Sequence, residues 1–361
     1  MAVLDADASL WQSWAKATGW KTILAAPGAA GNIDARVQAL AAAVKQAIAN
    51  GDVDPNRIYV GGRGDSTAAV FYAISRIPDL WAAGIGLGGT PQGALDSGRI
   101  FAANFTNTPV LWVTANADQE ALAARLKNAG MNLESRPATG LNDAAIFEWL
   151  ARHVRDPFPA GVDCETNSPT FASCYWLQPV KFDIGERNDV LPSSRVIGGS
   201  GAMLDLGGFG YKLDDPGPGL LVSYLPEKYS GPLKLNDRIL ELDGKPIDNP
   251  RQFRDTLNKM AEEKRVTLML ERGKQRNRLE SRIVLPPHDS APTSRVQGKY
   301  EAADKQLLIA SRSVTQMRVT IPEQWAGAGL FWNGLSLEKI EQSGCVLLTI
   351  DQELLHAAAC Q

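Results

Sequence analysis

Hydrophobic residues in the first 157 positions fall into two alternating patterns. Short apolar runs at 21–26, 57–61, 83–87, 109–114 and 131–136 read as buried strands. Between them lie stretches with helical spacing. In 34–49, Val37, Leu40, Val44 and Ile48 recur on one helical face, and Asn50-Gly51 supplies a stop. Segments 119–129 and 142–153 repeat that logic. Strands alternating with helices predict a parallel sheet covered on both faces.

The pattern changes at Pro157-Phe158-Pro159-Ala160-Gly161. Beyond it the chain turns β-rich, with CYWLQPVKF at 174–182, and a Gly-rich passage leads into a self-contained block. A polar, Pro-containing stretch, PHDSAPTSR, follows that block at 287–295. Alternating segments such as KQLLIASR and TQMRVTIP then fill the tail. The predicted organisation is an α/β domain at 1–157, a β-rich connector at 158–195, an inserted domain at 196–287 and a C-terminal β-rich domain at 288–361.

Candidate chemistry begins at NRIYVGGRGDSTAAVFYAISRIPDLW, residues 56–81, where an apolar strand runs through a Gly-rich turn into a helix. A turn of the G-x-S-x-G type lifts a nucleophilic serine above a sheet. Here the turn is Gly62-Arg63-Gly64-Asp65-Ser66, so Gly64 stands at the nucleophile position. With VDPNRIYVGG, SRIPDLWAAGIGLGG, TPVLWVTANADQEALAARLKNAG and GLNDAAIFEWLARH, residues 8–157 resemble the esterase and polyhydroxybutyrate-depolymerase branch of the α/β-hydrolases. That resemblance implies an N-terminally truncated α/β-hydrolase domain with an acid at Asp118 and the base position at Leu141. Leucine cannot take a proton and glycine carries no nucleophile, so no catalytic set is intact. The oxyanion loop has no counterpart beyond a shortened strand at 2–5. Ser66 is expected to cap the following helix. A relocated serine site would need His153, His288 or His356, none of which lies in the expected loop. Arg63-Gly64-Asp65 also spells an adhesion tripeptide, but inside the elbow, where chance accounts for it.

The inserted block carries three ordered motifs: GGFGYKL at 207–213, LKLNDRILELDGKPI at 233–247 and VTLMLERG at 266–273. Together they resemble a bacterial-type PDZ domain. The resemblance implies a carboxylate-binding loop at Gly208, Phe209, Gly210 and Tyr211, a ligand strand added beside 210–213, and a flanking helix at about 250–262. On that helix Phe253 and Leu257 share a face, with Leu257 the candidate pocket wall. Asn236 stands where glycine is usual, at a position that tolerates φ > 0. The alternative is a PDZ fold used only as a spacer.

Composition narrows the partners. The 361 residues are 44% hydrophobic, and Lys+Arg 37 against Asp+Glu 40 leaves a net charge of −3. That balance gives no basic surface for nucleic acid, and no run of about 18 apolar residues predicts a membrane span. Cys164, Cys174, Cys345 and Cys360 form two close pairs. Close spacing favours Cys164–Cys174 and Cys345–Cys360 among three connectivities, with four free thiols as the alternative. No zinc spacing occurs, and no metal or cofactor is expected. Trp176, Trp325 and Trp332 suggest core packing or, alternatively, a sugar platform. The start MAVLDADASLWQ lacks the features of a signal peptide; paired cysteines nonetheless favour an extracytoplasmic protein, and the late start of the hydrolase-like part leaves open a leader and further strands upstream. The reading is a catalytically inactive hydrolase-like protein that binds a peptide or protein C-terminus. The alternative is an active serine-type esterase or peptidase with a non-standard or incomplete site.

Overall fold

The computed structural model describes all residues except 26–31, 140–141, 189, 197–201, 213, 259, 261–262, 286–288, 338, 341–342, 353 and 361. The chain divides into two compact units, Met1–Val196 with Asp289–Gln361, and Ile197–His288.

The first unit opens with an α/β domain. Its elements are β1 (Ala2–Val3), α1 (Ser9–Thr18), β2 (Ile23–Leu24), α2 (Ile33–Ala49), β3 (Tyr59–Arg63), α3 (Ser66–Arg76), β4 (Ala83–Leu87), α4 (Gln92–Leu95), β5 (Val110–Thr114), α5 (Ala117–Asn128), β6 (Leu133–Pro137) and α6 (Asp143–Ala151). All pairings in the sheet are parallel, in the order β2-β1-β3-β4-β5-β6. Successive residues of β5 serve opposite faces. Val110 and Trp112 join the core built with α2, α3 and α5, while Leu111 and Val113 join the one built with α1 and α6. A sheet covered on both sides needs such continuously apolar strands. Helix α2 starts where the Asn32 side chain accepts from Ala35 N at 3.0 Å, and buries Val37, Leu40 and Val44. Strand β1, read from sequence only as a shortened remnant, is a full member of the sheet between β2 and β3.

Next come β7 (Gly161–Thr166) and β8 (Leu177–Phe182). The second unit then contains β9 (Met203–Leu204), β10 (Gly210–Tyr211), β11 (Leu220–Tyr224), β12 (Arg238–Leu242), β13 (Lys245–Pro246), α7 (Pro250–Asn258), β14 (Lys264–Arg272) and β15 (Gln275–Val284). Its sheet runs β10-β11-β12-β14-β15-β9, with β13 paired to β12. Leu220, Val222, Ile239, Leu268, Ile283 and Phe253 centre the core. Asn236 has φ 66°, and the Asp243-Gly244 turn has φ 51° and 72°; these are residue types that enter the left-handed region at low cost. Buried Asp237 ties the turn down: Arg272 donates to both its oxygens at 2.8 and 2.7 Å, and Lys234 N donates at 2.6 Å. Burial pushes this carboxyl up, but the bonds from Arg272 and Lys234 outweigh it and hold it below the usual range. The basic run Lys274, Arg276 and Arg278 lies at the exposed β14–β15 hairpin.

The chain returns as β16 (Ser294–Glu301), β17 (Gln306–Arg312), β18 (Val314–Ile321), β19 (Gly329–Trp332), β20 (Leu335–Leu337), β21 (Gly344–Asp351) and β22 (Leu354–Ala359). With β7 and β8 these form two sheets, β20-β19-β17-β16-β7 and β22-β21-β18-β8, around one shared core. Cys164 is bonded to Cys174 and Cys345 to Cys360. Trp176, Trp325 and Trp332 are all buried. Trp325 stacks on Tyr300 with centroids 4.6 Å apart and meets Trp176 edge-on at 5.2 Å. They are core residues, and the sugar-platform alternative falls.

A polar knot joins the α/β and β-rich parts of this first unit. Glu165, 1% exposed, pairs with Arg312 at 2.9 Å and accepts from Ser193 Oγ, Ser194 N and Ser194 Oγ at 2.5, 2.6 and 2.7 Å, and from Thr293 Oγ1. Burial raises its carboxyl, but the Ser193, Thr293 and Ser194 donors prevail and hold it below the ordinary glutamate value. Beside it, Arg195 donates to the carbonyls of Asp289 and Ala291. Arg99 bridges the carboxylates of Asp34 and Asp289 at 2.6 and 2.9 Å.

Candidate functional site

The strand order reverses direction at β1 and β3, and the crevice beyond the carboxyl ends of such strands is where open α/β sheets bind ligands. Gly64 sits there. It follows β3 with φ 55°, its N–H donates to Leu87 O at 3.0 Å, and its carbonyl accepts from Thr67 N at 3.0 Å. A Cβ built on Gly64 meets nothing within 4 Å. The turn therefore keeps its left-handed backbone, and a side chain there would have room.

The rest of the crevice is occupied by the protein's own groups. Asp5, just past β1, accepts from Arg63 N at 2.8 Å and from Trp11 Nε1 at 2.6 Å. Arg36 donates from Nη2 to Leu4 O at 2.6 Å and to Ser66 Oγ at 3.1 Å. Buried Ser66 donates onward to Leu4 O at 3.3 Å. An oxyanion needs converging, uncommitted N–H donors. Here the Asp5 carboxylate takes the amide of Arg63, the residue before the elbow position, whereas the amide that serves an oxyanion in such a turn belongs to the residue after it. Ser66 opens helix α3 but its side chain makes no cap, contrary to expectation; the hydroxyl is drawn instead toward β1 by Arg36 and Leu4.

Among the described residues, the other positions singled out in the sequence are not brought together with Gly64. Asp118 lies in the first turn of α5, on the surface, and Leu141 lies outside the described residues. His153 follows α6, where its Nδ1 is 2.9 Å from Trp149 O and its ring lies 4.2 Å from the Trp149 ring. Burial lowers its pKa. Its carbonyl accepts from Tyr59 OH at 2.9 Å, and Tyr59 begins β3 whereas Gly64 follows its end. Four strand steps, roughly 13 Å, run from Tyr59 to Arg63, so the residue that holds the His153 carbonyl stands at the opposite end of β3 from Gly64. His356 is exposed on β22, and His288 lies outside the described residues.

The second unit presents a different geometry. Gly207 and Gly208 have φ 79° and 72° and lead through Phe209 into β10. Strand β10 ends its sheet, so among the described residues its outer edge has no partner strand. Tyr211 faces α7, its ring 6.2 Å from Phe253 and 6.0 Å from Phe209. Burial raises the Tyr211 phenol pKa, with Arg254 acting the other way. Gly210 faces the opposite side, where a Cβ would lie 3.0 Å from Tyr224 Cβ and 3.5 Å from Cδ1. Successive strand residues point to opposite faces, and the pairing with β11 slips by one residue between Gly210 and Tyr211. Leu257 is buried with Phe253 in the core, and Phe253 is the helix residue in ring contact with Tyr211. Position 213 lies outside the described residues.

Sequence reasoning missed Asp5, Arg36 and Trp11 at the elbow. No local motif marks them, because their roles arise only when β1 docks beside β3.

No protein-family model matches the chain, and no curated protein matches it. Among solved structures, two single-residue variants of Arabidopsis thaliana SOBER1 are similar to part of it. They align at 20% and 19% identity with TM-scores of 0.28 and 0.26, over 33% of this chain and 63% and 64% of theirs. This chain thus spans less than two thirds of those neighbours.

Proposed function

We propose that this chain is a hydrolase-like scaffold without hydrolytic chemistry, whose second unit is a PDZ-like module binding a free peptide C-terminus. The observation that carries the reading is the unpartnered edge of β10, entered through Gly207-Gly208 and flanked by Phe253 of α7. An extended ligand added to that edge gains main-chain hydrogen bonds, and its alternate side chains face α7 and Tyr224. Amides of the Gly208–Tyr211 turn would receive the carboxylate. The inactive reading rests on Gly64, which carries no side chain to act as a nucleophile. The two disulfides suit an oxidising compartment outside the cytoplasm.

The test is a screen of C-terminal peptide libraries against the full chain, followed by titration of a selected peptide with free and amidated ends. A hydrogen bond to a charged group is worth about 1.5–3 kcal/mol, so amidation should weaken binding roughly tenfold or more. Equal binding of the two forms, or no binding peptide, would leave the spacer role in its place.

A further inference from the structure

A cavity lies in the first unit, lined by none of the residues of the elbow crevice. It has a volume of about 370 Å³ and opens between α2, the end of α3 and the turn at Pro169–Phe171. Arg76 forms part of its wall. The residue is only 3% exposed, and its guanidinium lies 4.2 Å from the centre of the Phe171 ring. Nη1 donates to Asn167 Oδ1 at 2.6 Å, while Nε is buried without a hydrogen-bond partner. Among the described residues no carboxylate pairs with Arg76. Asp34 and Asp289 act on it through space, but Arg99 holds both.

A guanidinium has five N–H donors and stays charged in proteins. Burying that charge without a direct anion is costly unless something supplies one. Its place in the last turn of α3 gives some relief from the helix dipole, and Phe171 adds a cation–π contact. Neither is an acceptor for the remaining donors.

The rest of the wall limits what the missing acceptor is. Ala41, Ile77, Leu80 and Phe171 give an apolar lining, and Lys45 stands exposed at the rim. Asp79 shares the cavity, its carboxylate accepting from Ser173 Oγ. Two cations against one carboxylate leave a single net positive charge. That suits a monoanion and disfavours a dianion, and the apolar lining suits a hydrocarbon body. We infer that this cavity is a binding site for a small monocarboxylate with an apolar body, its carboxylate paired with Arg76.

Benzoate is the probe, titrated against the full chain by ligand-detected NMR, with neutral benzamide and inorganic phosphate as comparators. The expected result is saturable benzoate binding, with benzamide weaker by roughly tenfold, the ratio expected for a charge-assisted hydrogen bond. Phosphate should bind more weakly than benzoate. Ala42→Trp, at an exposed position of the cavity wall, should abolish binding by filling the space. Lys45→Glu should weaken it and Asp79→Asn should strengthen it. Lys45 is exposed, and Asp79→Asn keeps a side-chain oxygen to accept from Ser173 Oγ, so neither variant threatens the fold. Absence of saturable benzoate binding, equal binding of benzamide, tighter binding of phosphate, or indifference to Ala42→Trp would each overturn the proposal.

Discussion

Gly64 and Gly210 are both glycines at a candidate site, and they are glycine for opposite reasons. At Gly64 the constraint is conformational: φ is 55° and the space around a Cβ is open. At Gly210 the constraint is steric: Tyr224 occupies the place of a side chain, 3.0 Å away. The elbow therefore holds a left-handed backbone that leaves room for a side chain. At the edge strand, Gly210 leaves the face beside Tyr224 without a side chain, while Tyr211 projects toward α7. A glycine at a motif position is thus uninformative until the cause of its presence is known.

The sharpest way to break the comparison is at Gly89, which faces Gly64 from the loop after β4. Gly89 has φ 58°, and a Cβ there would overlap the Gly64 carbonyl. Gly89→Ala combines backbone strain with displacement of the elbow and should cost about 3 kcal/mol. Chemical denaturation measures it. A cost below ~1 kcal/mol would mean that the elbow is slack and that the Gly64 geometry is not imposed by its surroundings.

Acid sharpens the contrast between the units, because each contains a buried, paired carboxylate: Glu165 in the first and Asp237 in the second. Both carboxyls are held below their ordinary values in the folded chain. Their contribution is therefore complete above the unfolded values of about 4 and is lost as the pH falls through the lowered folded ones. Urea midpoints should be level from pH 7 to pH 5 and should drop steadily from pH 4 to pH 2. A midpoint unchanged down to pH 3 would remove both carboxylates from the stability account.

Smaller effects separate the two glycines directly. Gly210→Val should lower peptide affinity by roughly tenfold, since a branched side chain must displace Tyr224 and crowd the strand edge. Undiminished affinity would place the ligand elsewhere. Gly64→Ser has room for its side chain but must hold a left-handed backbone, at ~1–2 kcal/mol. It should restore no ester turnover, because His153 is tied to Tyr59, at the opposite end of β3 from Gly64. Labelling of either form by a fluorophosphonate, competed by an ester substrate, would refute the inactive reading.

Local pattern made much of this architecture legible. The spacing of Val37, Leu40 and Val44 placed α2 within one residue of its observed start, and the apolar run at 109–114 matches β5. The cysteines nearest in sequence are the ones bonded. The elbow turn was readable because Gly-x-Gly between strand and helix is itself a local signal. What fills the crevice was not. Asp5 and Arg63 are far apart in sequence, and so are Arg36 and Leu4. Polar residues at 5 and 36 carry no pattern until the sheet order brings them together. Two-residue strands such as β1 and β10 are likewise too short for periodicity to report.

The knot at Glu165, Arg195 and Asp289 has a consequence for chain topology. Val196 donates to Ile100 O at 2.8 Å just before the chain leaves the first unit, and Asp289 N donates to Ser97 O at 3.0 Å just after it returns. Exit and re-entry are thus anchored to the same stretch, 97–100. To the first unit, everything between these anchors is a closed loop whose ends are already fixed. The entropy of closing such a loop grows only logarithmically with its length, by about 0.6 kcal/mol per doubling. The closure entropy of the first unit therefore depends little on the length of chain between these anchors, and replacing 197–288 by a short Gly-Ser bridge should leave the fold of the first unit in place.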